Sequence, residues 1–418
     1  MRKILLLGLL ILSFLSACKD EEEELIQGQR PDKRLNETLT AYKAQLTSAE
    51  YGWKALLLPA GGAGYNFLFS FGEDDRVSMY SDINASTAAN AMSSTYRLKG
   101  MQRPSLLFDT YSYIHILSDP DATISGGDWG QGQYSDFEFT IESATADSIS
   151  LEGIYNGSKL ILTRATQEDA ANFIDRIAAN ANALENINSF TTYFKRVSVG
   201  DKSFDVDVNT DIRLITFSYY EGNIIQTFTT RYYLTEDGLV LLEPFVHESE
   251  TITSLNSLTY NTAEQRIDLV INGVSGSIQE STKPAIVDAQ APRRFYNGAT
   301  YWVSTNGFTK EGVTDAFMVR SIQNFDVITL YIQVKGLLFW TIDGNYFGPT
   351  FNAELTNDGR IIFTETGEFR PTPEEAAPMV TATSNQLFIP EGYYVIQTGT
   401  NSYDLVSAKD AKAWISFQ

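Results

Sequence analysis

Cysteine and histidine are almost absent from this chain: one cysteine and two histidines in 418 residues. A single thiol excludes an intrachain disulfide, so stability has to come from core burial. His115 and His247 cannot assemble a His-rich zinc site, and neither sits in a metalloprotease motif. Both fall in apolar runs and are expected to be half-buried strand residues, with no metal and no cofactor required. Basic side chains are scarce as well: 31 Lys and Arg face 52 Asp and Glu, a net charge of −21. Such a surface repels phosphate backbones, which argues against nucleic-acid binding and favours solubility. Beyond the N-terminus, no stretch approaches the roughly 18 consecutive apolar residues of a membrane helix. Core-forming residues are plentiful, 43% hydrophobic and 12% aromatic, enough for two or three domains at this length.

The N-terminus has a different composition. Arg2 and Lys3 precede an apolar run from Ile4 to Leu12, and small residues follow up to Cys18. A basic end, a short apolar middle and small residues at the cut predict a signal peptide over residues 1–17. Leu15-Ser16-Ala17-Cys18 resembles the lipobox of bacterial lipoproteins, in which the cysteine thiol takes a diacylglycerol. Cys18 is therefore expected to be the lipid attachment point, leaving 29 basic against 52 acidic side chains, a net −23. Lys19, Asp20, Glu21 and Glu22 open an acidic run that continues to Glu24, and residues 18–30 read as a solvated tether. A lysine and clustered acids just after a lipidated cysteine are similar to the surface-export signal of Bacteroidota lipoproteins. The expected location is the outer membrane, lipid-anchored and facing the extracellular side.

From Leu35 the positions Leu35, Leu39, Tyr42, Leu46, Ala49 and Trp53 recur at spacings of three and four, predicting an amphipathic helix. The period then changes to two. Asn66 to Phe71 and Arg76 to Tyr80 read as a hairpin, and Ser105 to Leu117, Asp136 to Ile141, Ser148 to Gly153 and Lys159 to Thr163 as further strands. Thr166 with Asp169 three residues on forms a capping box for a second helix, with Phe173, Ile174, Ile177 and Leu184 on one face. Strands resume at Asp211 to Tyr219 and Ile224 to Leu234, around a turn at Tyr220 to Asn223, and continue through Leu239 to Val246 and Ile267 to Ile271. A polar stretch from Ser281 to Pro292 marks a boundary. The last segment is again strand-rich, with Gln386 to Ile389 among its strands and Pro371 to Pro378 as a loop. The predicted fold is α+β and predominantly antiparallel β: a helix-plus-sheet domain over 31–165, a second such unit over 166–283 and a β-rich C-terminal domain over 284–418.

Catalytic constellations are hard to assemble. Gly273-Val274-Ser275-Gly276-Ser277 misplaces its glycine for a nucleophile elbow. Asp205, Asp207, Asn209 and Asp211 alternate with Phe204, Val206 and Val208, the pattern of a strand with one wet face rather than a calcium loop. A carboxylate pair for glycoside hydrolysis cannot be chosen among 52 acids by spacing alone, so a hydrolase with an unrecognised pair stays open. The segment Leu117 to Phe139 stands apart. It interleaves glycines with Trp129 and Tyr134 and carries Asp119, Asp121 and Asp128. Stacking surfaces beside carboxylates on a mobile loop suit ligand contact, and these five residues are the binding candidates.

Asp32-Lys33-Arg34-Leu35-Asn36-Glu37, Gly52-Trp53-Lys54, Ser118-Asp119-Pro120, Ser135-Asp136-Phe137-Glu138-Phe139 and Ser148-Ile149-Ser150-Leu151-Glu152-Gly153 together resemble a Bacteroidota outer-membrane lipoprotein family of unknown function, domain-of-unknown-function family 4302. The resemblance implies a lipoprotein encoded with nutrient-uptake components of the SusC and SusD type, and supplies no catalytic residue. The expected function is therefore a non-enzymatic binding or accessory component of glycan or peptide uptake. The alternatives are a scaffold docking on an outer-membrane transporter or protease, and the hydrolase above.

Overall fold

A computed structural model of the chain describes residues 31–221 and 224–418. The expected signal peptide, Cys18, and Lys19, Asp20, Glu21 and Glu22 lie outside the described residues, as do Gly222 and Asn223 of the Tyr220 to Asn223 turn. The body is α+β and dominated by antiparallel sheet, as predicted.

The first sheet is an eight-stranded closed barrel of β1 (Trp53–Leu58), β2 (Tyr65–Phe71), β3 (Arg76–Ser81), β4 (Met92–Gly100), β5 (Pro104–Phe108), β6 (Glu138–Ala144), β7 (Ser148–Gly153) and β8 (Lys159–Arg164). Each strand pairs with the next, and β1 closes on β8 from Trp53 opposite Arg164 to Leu58 opposite Lys159. Alternation sends one set of side chains inward: Trp53, Ala55 and Leu57 from β1, Ile149 and Leu151 from β7. An eight-stranded barrel has an interior just wide enough for side chains to fill. Here Phe67, Phe69, Phe71, Tyr96, Phe108 and Phe139 fill it, with ring centroids 4.9 Å apart for Phe71 and Tyr96 and 5.4 Å for Phe69 and Phe108. The centre is a packed core, which leaves contact with other molecules to the loops and the outer face.

The second sheet is also a closed eight-stranded barrel: β9 (Phe194–Val199), β10 (Lys202–Asn209), β11 (Leu214–Glu221), β12 (Ile224–Thr235), β13 (Gly238–His247), β14 (Glu250–Asn261), β15 (Arg266–Ile271) and β16 (Val274–Ser281), with β16 returning to β9. Phe204, Val206 and Val208 point into its core, so the Asp205 to Asp211 stretch begins as a strand, as the alternation indicated. The Gln167–Glu185 helix packs on this barrel through Phe173, Ile174, Ile177 and Leu184. Its capping box is present: Thr166 Oγ1 accepts from the Asp169 amide at 3.2 Å, and Asp169 Oδ2 accepts from the Thr166 amide at 2.8 Å.

The third sheet has ten strands, and its edge strand Tyr301–Ser304 also meets the residue after the last strand of the chain, through reciprocal bonds of 2.9 Å between the backbones of Val303 and Gln418. Helices Ala291–Gly298 and Ala377–Leu387 contribute Phe295, Val380 and Leu387 to its core. It joins the second barrel where Tyr193 and Phe194 pack on Tyr394, Val406, Ala411 and Trp414, and Tyr193 donates to Asp404 at 2.7 Å.

Several sequence expectations need correction. Trp53 is not on the first helix, which ends at Thr47; Gly52, at φ +81°, turns the chain and Trp53 opens β1. Its indole still reaches back, donating to the Leu46 carbonyl at 3.0 Å. Trp302 does the same to the Phe295 carbonyl at 2.9 Å. The Ser105 to Leu117 run is not one strand. It breaks after Phe108, and Ser112 begins a short helix, Tyr113–Ile116, so His115 is a buried helical residue rather than a strand residue. Gln386 to Ile389 is not a strand: Gln386 and Leu387 end the Ala377–Leu387 helix and Phe388 caps it, and Pro378 belongs to the helix's first turn, where a missing N–H is tolerated.

Candidate functional site

At one end of the first barrel lie the loops 59–64, 82–91, 109–137 and 154–158. Four of this barrel's most exposed large apolar side chains gather on them: Trp129 at 72% exposure, Tyr155 at 80%, and Tyr111 and Ile124 at 50% each. Trp129 does not fold back onto the sheet.

The segment carrying Trp129 is not an open coil. Asp128 N–H donates to the Gly132 carbonyl at 2.8 Å and Gly132 N–H returns to Asp128 O at 2.9 Å. Gly130 N–H reaches Pro120 O at 2.8 Å, and Gln133 N–H reaches Leu117 O at 2.8 Å. Gly132 has φ +60°, and a Cβ there would lie 2.8 Å from the Leu117 carbonyl oxygen, so only glycine lets the turn sit this close to the helix before it. Trp129 thus projects from a turn held by backbone hydrogen bonds on both sides of it. A side chain presented this way loses little backbone freedom on contact with a ligand.

The carboxylates among the candidates serve the loop first. Asp119 accepts from the Tyr111 hydroxyl at 2.8 Å and from the Asp121 amide at 2.9 Å. Burial and that hydrogen bond push the Tyr111 phenol up to about 12. Asp121 caps the Ala122–Ser125 helix, accepting from Thr123 Oγ1 at 2.6 Å and its amide at 2.8 Å, which holds its carboxyl below the usual range. Asp128 accepts from the Tyr134 hydroxyl at 3.1 Å, and this raises the Tyr134 phenol. The five candidates therefore share one loop, but only Asp128 and Trp129 are fully exposed. No group of three or more His, Cys, Asp or Glu able to hold a metal occurs among the described residues.

Three residues outside the binding candidates build this end. Asp136, buried, accepts from the Tyr155 and Asn156 amides at 2.9 and 3.0 Å and from the Ser158 amide at 3.1 Å, and so shapes the turn that presents Tyr155. Gln133, buried, ties the loop to Tyr65. His115 accepts the Ser112 amide on Nδ1 at 3.1 Å, so Nε2 carries the proton and faces the Phe108 carbonyl at 3.2 Å. Burial depresses its pKa, which favours the neutral ring. The sequence pattern makes Asp136 the first residue of a strand running to Ile141, whereas the strand starts at Glu138 and Asp136 lies in the loop before it.

A groove of about 740 Å³ runs between the Pro31–Thr47 helix and β4, lined by Leu39, Lys43, Asp75, Tyr96, Arg97 and Lys99. Two of its cations are paired, Lys43 with Asp75 at 2.6 Å and Arg97 with Asp109 at 2.6 Å.

Comparison with known proteins gives a family and no activity. No curated protein matches the chain. Among solved structures, it is similar to an octameric penicillin-binding protein homologue from Pyrococcus abyssi at 12% identity, over 36% of this chain and 37% of that one, with a TM-score of 0.15. It is also similar to a protein of unknown function of the DUF3598 family from Nostoc punctiforme at 11% identity, over 56% of this chain and 81% of that one, again with a TM-score of 0.15. Superposition this poor carries no argument about fold or function. The family model of the domain of unknown function DUF4302 matches residues 23–261, more than half of the chain, and takes in the first barrel with its helix and the candidate loops. The chain belongs to the DUF4302 family.

Proposed function

We propose that this protein is a lipid-anchored lipoprotein of the outer membrane that acts on the extracellular side as a non-enzymatic binding or accessory component of nutrient uptake, alongside transport proteins of the SusC and SusD type. The compartment rests on the lipobox-like Leu15-Ser16-Ala17-Cys18 and the acidic run after it. The binding role rests on one observation above all, the indole of Trp129 held out at 72% exposure on a hydrogen-bonded turn. Tyr155 and Tyr111 extend the aromatic surface, and Asp128 beside Trp129 can accept from hydroxyl or ammonium groups. With Asp119, Asp121 and Asp128 in the loop and a strongly acidic chain, the surface suits a neutral glycan or a basic peptide and repels an anionic ligand.

Glycan-array and peptide-array binding on the soluble body tests the role. Binding of one of these classes, weakened at least roughly tenfold in Trp129→Ala, is the expected result, since losing an exposed aromatic contact is worth about 1.5 kcal/mol or more. Binding to neither class, or binding that Trp129→Ala leaves unchanged, refutes it. Fractionation of cells carrying Cys18→Ser tests the anchor: the variant is expected in the soluble fraction, and retention at the membrane refutes lipid attachment.

A further inference from the structure

The second barrel reaches into the candidate site. Arg213, in the turn between β10 and β11, adopts φ +51°, a left-handed conformation that a non-glycine residue holds only when its surroundings over-determine it. Its side chain is buried and lies in the end of the first barrel. Nη1 donates to the Gly64 carbonyl at 2.7 Å and to Asp82 Oδ2 at 3.2 Å, and Nη2 donates to the Asp82 carbonyl. Asp82 is held in turn by the Asn66 amide at 2.8 Å and the Asn66 Nδ2 at 2.7 Å, and Asn66 Nδ2 also donates to Leu234 O of the second barrel at 2.8 Å. Burial opposes the charge on Arg213, but the adjacent Asp82 carboxylate outweighs it and raises the guanidinium above its ordinary value. The planar guanidinium lies over the Tyr65 ring, 4.3 Å from its centroid.

Tyr65 carries the contact onward. Its hydroxyl accepts the Gln133 Nε2 at 2.8 Å, and the same amide group donates to the Ser125 carbonyl at 2.6 Å. Gln133 directly follows Gly132, the last residue of the turn that presents Trp129. The backbone adds two more links: Ala60 N–H to Tyr134 O at 3.1 Å and Gly61 N–H to Gln133 O at 3.3 Å, both from the loop that ends at Gly64.

We propose that Arg213 is a positioning residue for the Trp129 turn, acting through Tyr65 and Gln133, so that the ligand-contacting end of the first barrel is complete only with the second barrel docked on it. A buried guanidinium satisfied by two backbone carbonyls, a carboxylate and a ring face fixes the plane of Tyr65. A fixed Tyr65 hydroxyl in turn fixes Gln133, and Gln133 fixes the closing arm of the turn. The proposal rests on the binding reading for its significance, but its test needs no ligand.

Amide hydrogen exchange on the full soluble body, followed by mass spectrometry over peptides spanning 121–135, reads the coupling directly. Tyr65→Phe keeps the ring under the guanidinium and removes only the hydroxyl; Arg213→Met removes the donors and the charge. Exchange in the 128–134 amides is expected to rise about tenfold in each variant and no further in the double variant, because both break one chain of contacts. The Ile154 to Ser158 turn, held by Asp136, is expected to stay at its parental rate, which separates loss of positioning from loosening of the whole barrel end. Unchanged 128–134 exchange in Tyr65→Phe, or rates that multiply in the double variant, overturns the proposal. If the array experiment finds no ligand while exchange behaves as expected, the binding reading falls and the coupling stands.

Discussion

Asp136 is the residue whose removal should matter most to the first barrel for its size. Its carboxylate is almost fully buried and takes three backbone amides, those of Tyr155, Asn156 and Ser158, together with the Ser158 hydroxyl at 2.6 Å. In Asp136→Ala these donors lose a charged acceptor at once. Each stranded buried donor costs about 1–3 kcal/mol, but Tyr155 and Asn156 are exposed and their amides can turn to water, whereas Ser158 is buried and cannot. The expected loss is therefore about 2–4 kcal/mol rather than the sum of all three. Asp136→Asn keeps the shape but must aim an NH2 at one of the donors, for a loss of about 1–2 kcal/mol. Urea unfolding followed by tryptophan fluorescence, with linear extrapolation, measures both. Trp53 lies wholly buried in this barrel and reports on its core. The reasoning fails if Asp136→Asn and Asp136→Ala both stay within about 0.5 kcal/mol of the parent, or if the asparagine variant is the worse of the two.

Two further outcomes follow from the same barrel. Gly52→Ala is expected to destabilise by at least about 2 kcal/mol, because alanine is strained at φ +81° and its Cβ would lie 2.3 Å from the Phe69 carbonyl oxygen; a shift under about 0.5 kcal/mol in urea unfolding would show that the helix-to-strand turn can relax. His115 is held neutral, with its folded pKa depressed by burial below the unfolded value of about 6.5. The unfolded chain therefore takes up a proton first as pH falls, so the stabilisation is complete above about pH 6.5 and is lost as pH drops toward the folded pKa. The thermal midpoint is expected to fall from pH 7.5 to pH 5 more steeply in the parent than in His115→Gln; equal slopes would exclude His115 as a source of that dependence.

The parts of the fold legible in the sequence are those decided within a few residues. The Thr166 and Asp169 capping box and the spacing of Phe173, Ile174, Ile177 and Leu184 set the second long helix, because a helix is stabilised by its own first turn and one apolar face. Alternation placed Phe67, Phe69, Val77, Ile149 and Leu151 inward, because successive strand residues point to opposite faces whatever the partner strand. Trp129 was legible as a candidate because an indole among glycines has little core to join.

Tertiary structure alone decided the rest. Nothing local says that β1 must close on β8, more than a hundred residues later, since closure depends on strand tilt and stagger around the ring. The apolar letters around His115 suit a strand as well as a helical turn, and the buried ring packs on Phe137, 4.6 Å between centroids, from the far end of the same long loop. Arg213 lies inside the Asp211 to Tyr219 run that alternation assigns to a strand, whereas the strand starts only at Leu214 and Arg213 sits in the turn before it. Its burial exists only because Asp82, Gly64 and Tyr65 of another barrel converge on it, and a charge can be taken out of water only where partners from distant parts of the chain are already in place.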